Sequence, residues 1–504
     1  MRLPAIGGRA FLVLLLGALV GAVALAHVSI PLFALVAVAW LALVGLAAHR
    51  WPLQTLVGGA IATLADPVLV PRFLPPEVVF GPVGLSEPVL VVAGSVVAID
   101  AVRHGRIGRA LRDPVVVLVL LFVALSVVSA VVNATPPLVA LLGIFLTVDA
   151  VAIYVAVRAA RRAEAAAPIA IVAVVAMTLV VAAFGIAQLV LDPELLGFSA
   201  FRGYFGEGRR ITSFLGNPNP AAAILSIGIP FALFGSLSLP SAAWRWGARA
   251  ALFVLVLALL MTFSRSAWMA VGLGAVLGAL LVDWRAVVLF LLTVALAWGT
   301  FTVMPRELAV ERDPNGNGNG EPVTRAPDIV ESTTGRIGNL RQRGDTRGRF
   351  TQEGIPILLD HPFLGVGPGR YGGAAATIIP SPIYDEYDTS LYGYRTIHNF
   401  WQHLLGERGA LGTAVFLTLL AGLLIRFWMA ARSSVGVRRV ILGGAASLVL
   451  ISGLHSFTEM IYEGNLPSLL IWAVFGIASL LAPVRPLRSA IASEPQAAAG
   501  SSAR

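Results

Sequence analysis

An array of apolar runs, each near the length of a bilayer crossing, dominates this 504-residue chain and excludes an ordinary soluble fold. The runs fall near 10–26, 30–48, 53–71, 85–101, 114–132, 137–157, 168–191, 219–238, 249–264, 266–282, 286–303, 404–425, 439–456 and 466–483. A membrane-crossing helix needs ~20 apolar residues, so the pattern predicts an all-α polytopic membrane protein with roughly 12–14 transmembrane helices. The run at 53–71 is the weakest, because Asp66 and Pro67 interrupt it, and a re-entrant segment is the alternative there. Charged residues make up 12% of the chain, about half the usual share for a soluble domain.

Arginine placement gives an orientation. Lysine is absent, and the net charge of +9 comes entirely from arginine. Arg50, Arg103 to Arg112, Arg158 to Arg162, Arg245 to Arg249, Arg285 and Arg426 to Arg439 fall on one side of the alternating array. By the positive-inside rule that side is cytoplasmic, and it takes both termini with it. The basic balance therefore calls for membrane topology, not nucleic acid. At the N-terminus, Arg2, Arg9 and the run from Phe11 to Ala26 resemble a cleavable signal, but a second span follows almost at once. A retained first helix is the expected reading.

Four parts follow: a helix array over 1–303, an extracytoplasmic loop over 304–403, helices over 404–484 and a disordered cytoplasmic tail over 485–504. Within the loop, 304–345 is rich in Asn, Gly and Pro and is expected to be flexible, whereas 346–403 is expected to be structured. Apolar periodicity from Phe350 to Leu359 predicts a short helix lying against the membrane, with Pro356 inside it. Gly365-Val366-Gly367-Pro368-Gly369 follows no clear strand and precedes no Lys-Ser/Thr, so it reads as a tight turn. Asp313-x-Asn315-x-Asn317-Gly318 has the start of a calcium loop, but Thr324 stands where the bidentate carboxylate belongs. No metal or other cofactor is expected.

The outer side gathers the candidate chemistry. Arg265 lies in LLMTFSRSAWMAVGLG with almost no loop around it. A snorkelling interfacial arginine is the bland reading. Its place on the outer side, against the positive-inside bias, favours an anion ligand. Arg210, in GRRITSFLGNPNPAAAIL, precedes a span opened by Asn217-Pro218-Asn219-Pro220. Asn219 is either a helix cap or an aid to an anion at the helix start. Arg347 and Arg349 open the amphipathic segment, and their planar forks suit phosphate oxygens. His398 sits in Thr396-Ile397-His398-Asn399-Phe400-Trp401, and a histidine of ordinary pKa, near ~6.5, accepts a proton at pH 7. His403 lies five positions on, ~140° around a helix, so the two histidines face one ligand poorly. His455, Glu459 and Glu463 cluster at another outer helix end and are open candidates to orient His398 or an acceptor. Asp149, inside a span toward the cytoplasmic side, reads as a helix–helix partner.

The pieces RITSFLGNPNPAAAIL, TFSRSAW, TRGRF with LLDHPFLGVGPGRY, and HNFWQHLLGERGALG resemble, in this order, the O-antigen ligase and polymerase superfamily. They cover roughly residues 205–415. The resemblance implies a glycan transferase at the outer face of a bacterial cytoplasmic membrane. It implies a donor linked to undecaprenyl pyrophosphate, an acceptor that is a glycan, lipid or protein, and membrane lipids as surroundings. Carried over motif by motif, Arg265 and Arg347 are the pyrophosphate ligands, Arg210 a third cation and His398 the base. Arg349, Asn219, Asn399, His455 and Glu459 are supporting candidates. Thr351 departs from the tryptophan common at its position, which keeps Arg349 open as the alternative to Arg347. Two other readings compete: a metal-dependent transferase using lipid monophosphate sugars, and a lipid-linked glycan transporter or flippase. The first expects an acidic pair in the first outer loop, where only His27-Val28-Ser29 stands. The second expects charges along a midplane path.

Overall fold

The computed structural model describes residues 30–64, 86–191, 195–198, 200–202, 209–303, 346–373, 375, 378–388, 397–463 and 466–482. The expectations for 10–26, for the Asn-Gly segment of 304–345 and for the tail lie outside them. The main helices are α1 (Ile30–Arg50), α2 (Pro52–Ala62), α3 (Ser86–Arg103), α4 (Pro114–Val132), α5 (Pro137–Ala159), α6 (Ala163–Val190), α7 (Pro218–Ser238), α8 (Ala242–Met261), α9 (Arg265–Val282), α10 (Trp284–Val303), α11 (Thr346–Asp360), α12 (Phe400–Arg432), α13 (Gly436–His455) and α14 (Leu466–Leu481). Among the described residues, nine helices are long and apolar enough to cross a membrane. The protein is a multi-pass, all-helical membrane protein; among the described residues one short ladder pairs Phe201–Arg202 with Arg209–Arg210.

The helices follow the apolar runs because the sequence punctuates them. Asp113 caps α4, its carboxylate accepting from the Val115 N–H at 3.1 Å, with Pro114 at the first helical position. Asn217 and Pro218 open α7 in the same way, and the Ser241 hydroxyl caps α8. Of the weak run at 53–71, the described part forms the short α2, which ends at Ala62, and Asp66 and Pro67 lie outside the described residues. The amphipathic segment forms a helix longer than its apolar periodicity: α11 starts at Thr346 and includes Pro356.

α7 is the hub. Its best apolar window is 89% buried, although lipid is the alternative solvent for such a surface. Small residues make this possible, since association between spans depends on close backbone approach. A Cβ on Gly228 would strike the Thr178 side chain of α6. On α9, Gly274 and Gly278 form a small-xxx-small stripe against α13: a Cβ on Gly274 would lie 2.8 Å from the Ile451 backbone, and one on Gly278 would meet Ser447.

The bundle has two chemically distinct ends. At one, buried Asp113 pairs with Arg158 and Arg426, each at 3.0 Å, while both arginines donate to the Ser479 carbonyl at 2.9 Å. Arg439 pairs with Asp283 at 3.2 Å. These arginines belong to the set assigned to the cytoplasmic side. α4 carries the chain from Asp113 to Asn133, about 30 Å away at 1.5 Å per residue. There the Asn133 amide donates to the Gly365 carbonyl at 2.9 Å, so the glycine-rich loop belongs to the opposite end.

That loop is more than a turn. α12 breaks at Gly409, whose backbone (φ 61°, ψ −166°) is accessible almost only to glycine. The break frees the Ala410 and Leu411 N–H groups, which donate to the Pro362 and Phe363 carbonyls at 2.8 and 3.2 Å. On the other side of the break, the Gly406 and Glu407 carbonyls accept from Val366 and Gly367 at 2.8 and 3.1 Å. Residues 362–367 are therefore wedged into an interrupted helix, with the freed backbone groups satisfied inside protein. Gly369 fits because it faces Gly143 of α5, where any side chain would collide with its backbone.

Candidate functional site

Arg210 stands on the short strand ahead of α7. The strand is tied to the turn between α8 and α9: the Ile211 N–H donates to the Met261 carbonyl at 3.2 Å, and Arg210 Nε to the Thr262 carbonyl at 2.8 Å. That turn passes through Phe263, in the left-handed region (φ 50°), so that Arg265 opens α9 within one residue of its cap. Arg210 is thus brought within electrostatic reach of Arg265. Burial first, and the Arg265 charge second, push Arg210 down to about 10 from its usual 12.5. It stays a cation at neutral pH, but in surroundings that disfavour its charge, and an arriving anion removes that conflict. The positive ends of α7 and α9 point the same way and add to the attraction.

Arg210 Nη2 also reaches the Asn219 Oδ1 at 3.5 Å. The two sequence readings of Asn219 are thereby separated: the cap of α7 is Asn217, whose Oδ1 accepts from the Asn219 N–H at 2.9 Å. The Asn219 side chain is turned to the site, where its Nδ2 donates to Glu459 Oε1 at 2.9 Å. The other Glu459 oxygen faces His398 Nδ1 at 3.7 Å. Arg265, Arg210, Asn219, Glu459 and His398 form one continuous array at the end of the bundle that holds the glycine loop.

His398 is half-exposed and its backbone is left-handed (φ 53°), a region that few non-glycine residues occupy. Both flanks hold it there. On one side the Ile397 N–H donates to the Gly372 carbonyl at 3.0 Å; on the other, the Phe400 N–H donates to the Ser456 carbonyl at 2.9 Å. Asn399 is the cap of α12, accepting from the Gln402 N–H at 3.1 Å. His455 is buried at the end of α13, and its carbonyl accepts from the Glu459 N–H at 3.1 Å.

Arg347 and Arg349 lie in the first turns of α11, and their side chains are outside the described residues. His403 is fully buried and takes Glu463 away from the exposed array, at 2.5 Å. Neighbours that the sequence did not single out complete this second cluster: Tyr371, Glu407 and Arg408. Their one local signal is a charged pair framed by Gly406 and Gly409 within an apolar helix. Among the described residues no group of three or more His, Asp and Glu side chains is placed to hold a metal ion.

The fold and the site together define a multi-pass membrane protein with paired guanidiniums and an imidazole at one end of its bundle. Residues 250–417, a third of the 504, match the family described as O-antigen ligase. The match spans Arg265, Arg347, Arg349, His398 and Asn399, while Arg210, Asn219, His455 and Glu459 reach the site from outside it. No curated protein matches the chain.

Proposed function

We propose that this protein transfers a glycan from an undecaprenyl-pyrophosphate donor to an acceptor hydroxyl at the outer face of the bacterial cytoplasmic membrane. The continuous array from Arg265 through Arg210, Asn219 and Glu459 to His398 carries this reading. It supplies cations for a leaving pyrophosphate and, next to them, a base for the attacking oxygen.

The acceptor hydroxyl gives its proton to the imidazole nitrogen of His398 turned away from Glu459, as its oxygen bonds to the anomeric carbon. The bond from that carbon to the phosphate oxygen breaks, and its electron pair leaves on undecaprenyl pyrophosphate. Arg265 and Arg210 neutralise the growing charge in a partly buried site, where fixed cations act most strongly. Arg347, with Arg349 as its alternative, adds a third guanidinium from α11. One displacement inverts the anomeric configuration. The guanidiniums supply the charge that a divalent ion brings in other transferases, so transfer is expected to persist in EDTA.

The test is transfer in detergent with lipid-linked glycan and a hydroxyl acceptor, with the product's anomeric configuration read by NMR. An inverted product made without a sealed membrane supports the reading. Donor movement that needs closed vesicles and yields no new glycosidic bond replaces it with the flippase reading.

A further inference from the structure

We propose that the buried quartet His403, Glu407, Arg408 and Glu463 is the positioning element for His398, with His403 held as a permanent imidazolium; the catalytic part of this rests on the transfer reading. Both His403 ring nitrogens face oxygens. Nδ1 lies 2.6 Å from the Tyr371 carbonyl oxygen, which only accepts, and Nε2 lies 2.5 Å from a Glu463 carboxylate oxygen; with Glu463 ionised, both nitrogens carry a proton. The remaining charged neighbours are Glu407, 3.8 Å from Nε2, and Arg408, which donates to Glu407 at 2.6 Å. Two cations then face two carboxylates, all with side chains at 0–1% exposure. An uncompensated charge in such a place is expensive, and a balanced set costs far less.

The quartet touches each structure that fixes His398. Glu407 Oε1 accepts from the Tyr371 N–H at 3.3 Å while His403 donates to the Tyr371 carbonyl, so both backbone groups of one loop residue are anchored to α12. The next residue, Gly372, holds Ile397, the neighbour of His398. Glu463 ends the segment after α13, whose start is anchored where the Ser456 carbonyl accepts from Phe400. Between these two anchors stands Glu459, facing His398. Arg408 fixes the whole assembly to the bundle through Ser126 at 3.1 Å, Gly143 at 2.8 Å and Thr147 at 2.9 Å. All four side chains are buried. Their effect passes through Gly372 on one side and through the 456–463 segment on the other.

Two measurements test this. In the parent protein, labelled with 15N-histidine and held in detergent, one of the seven histidines is expected to keep both ring protons at pH 8. Its signal disappears in His403→Gln; a neutral ring at His403 overturns the proposal. Second, Glu463→Gln keeps the shape of the side chain while removing its charge. It is expected to shift the His398 ring signals and to lower kcat by roughly tenfold or more, as small misplacements of reacting groups do, with the donor KM within about threefold. Unmoved His398 signals, or parental kcat in a variant that still responds to inorganic pyrophosphate, overturn the positioning role. A parent protein with no transferase activity removes the transfer reading, yet the two NMR results still decide the state of His403 and its hold on His398.

Discussion

The Asn219 amide donates to the Glu459 carboxylate at 2.9 Å across 240 positions of sequence, joining the start of α7 to the turn after α13. The same amide accepts from Arg210, so one side chain links the cationic half of the site to the basic half. Asn219→Ala is expected to lower kcat/KM by ~10–100-fold, the range for a lost hydrogen bond to a charged group. Asn219→Asp does more harm to donor binding: its carboxylate opposes Glu459 and occupies Arg210 before the donor arrives. Steady-state kinetics at several donor concentrations separate the two, the Ala variant losing mainly kcat and the Asp variant raising KM.

Burial first, and the charge of Arg265 second, lower the Arg210 pKa to about 10. Its sign follows directly. For a base depressed in the fold, the cost is fully present below pH 10, and stability recovers only as pH rises from there toward the unfolded value. At pH 7 the empty site therefore carries the whole penalty, and a bound dianion relieves it. Inorganic pyrophosphate is expected to raise the melting temperature of the parent, as any ligand selective for the folded state does. Arg210→Gln should remove that response without lowering the melting temperature of the empty protein. A full pyrophosphate response in both Arg210→Gln and Arg265→Gln would contradict the anion site.

His398→Ala and Arg265→Ala are expected to fail in different ways. The first leaves the guanidiniums in place, so donor binding persists while turnover is abolished. The second removes a ligand to the donor in both ground and transition states, so KM rises and kcat falls together. Donor retention on immobilised protein, measured beside turnover, distinguishes them.

Orientation is testable without background because the chain has no cysteine. Phe457 is exposed at the His398 end, and Trp284 is exposed beside Asp283 at the arginine-rich end. In intact cells whose outer membrane has been permeabilised, Phe457→Cys is expected to react with a membrane-impermeant thiol reagent and Trp284→Cys is not. The reverse pattern would place the array in the cytosol, where a lipid-linked donor for export is not presented.

The apolar runs made the spans legible because each helix must satisfy its backbone internally and present a hydrocarbon-compatible surface over a fixed length. α4, with its Asp-Pro start, coincides with its run at 114–132. What composition could not show is which helix is surrounded by others. α7 and α4 are both apolar, yet only α7 is buried on nearly every side, and the difference lies in small residues whose partners are remote in sequence. The site divides along the same line. Arg210, Arg265 and His398 stood out as polar residues at an apolar boundary. The side-chain role of Asn219 depended on Glu459, and nothing local in either segment reveals that contact. The glycine loop read as a turn because its reason for being glycine, the backbone of α5 and the break in α12, lies far along the chain. Gly409 is one glycine among 51, and only its partner segment at 362–363 explains the break.

Gly372 offers the sharpest link between backbone and the proposed base. Its φ is +62°, and a Cβ there would overlap the Ile397 side chain, the neighbour that places His398. Gly372→Ala therefore strains its own backbone and displaces Ile397, while Arg210 and Arg265 sit on other elements and keep their geometry. The strain alone is on the order of 1–2 kcal/mol, small against the stability of a packed bundle, so the protein should fold. A shift of about 1 Å at the base is enough to cost ~100-fold in turnover. The expected result is a kcat lowered by one to two orders of magnitude, with donor KM and the pyrophosphate response retained. Gly105→Ala supplies the control, since Gly105 also has a positive φ (+63°) but meets nothing within 4 Å and lies near the arginine-rich end. It should show the backbone strain as a modest loss of thermal stability with parental kcat. Equal kcat in the Gly372 and Gly105 variants would mean that the Gly372–Ile397 contact does not govern where His398 stands.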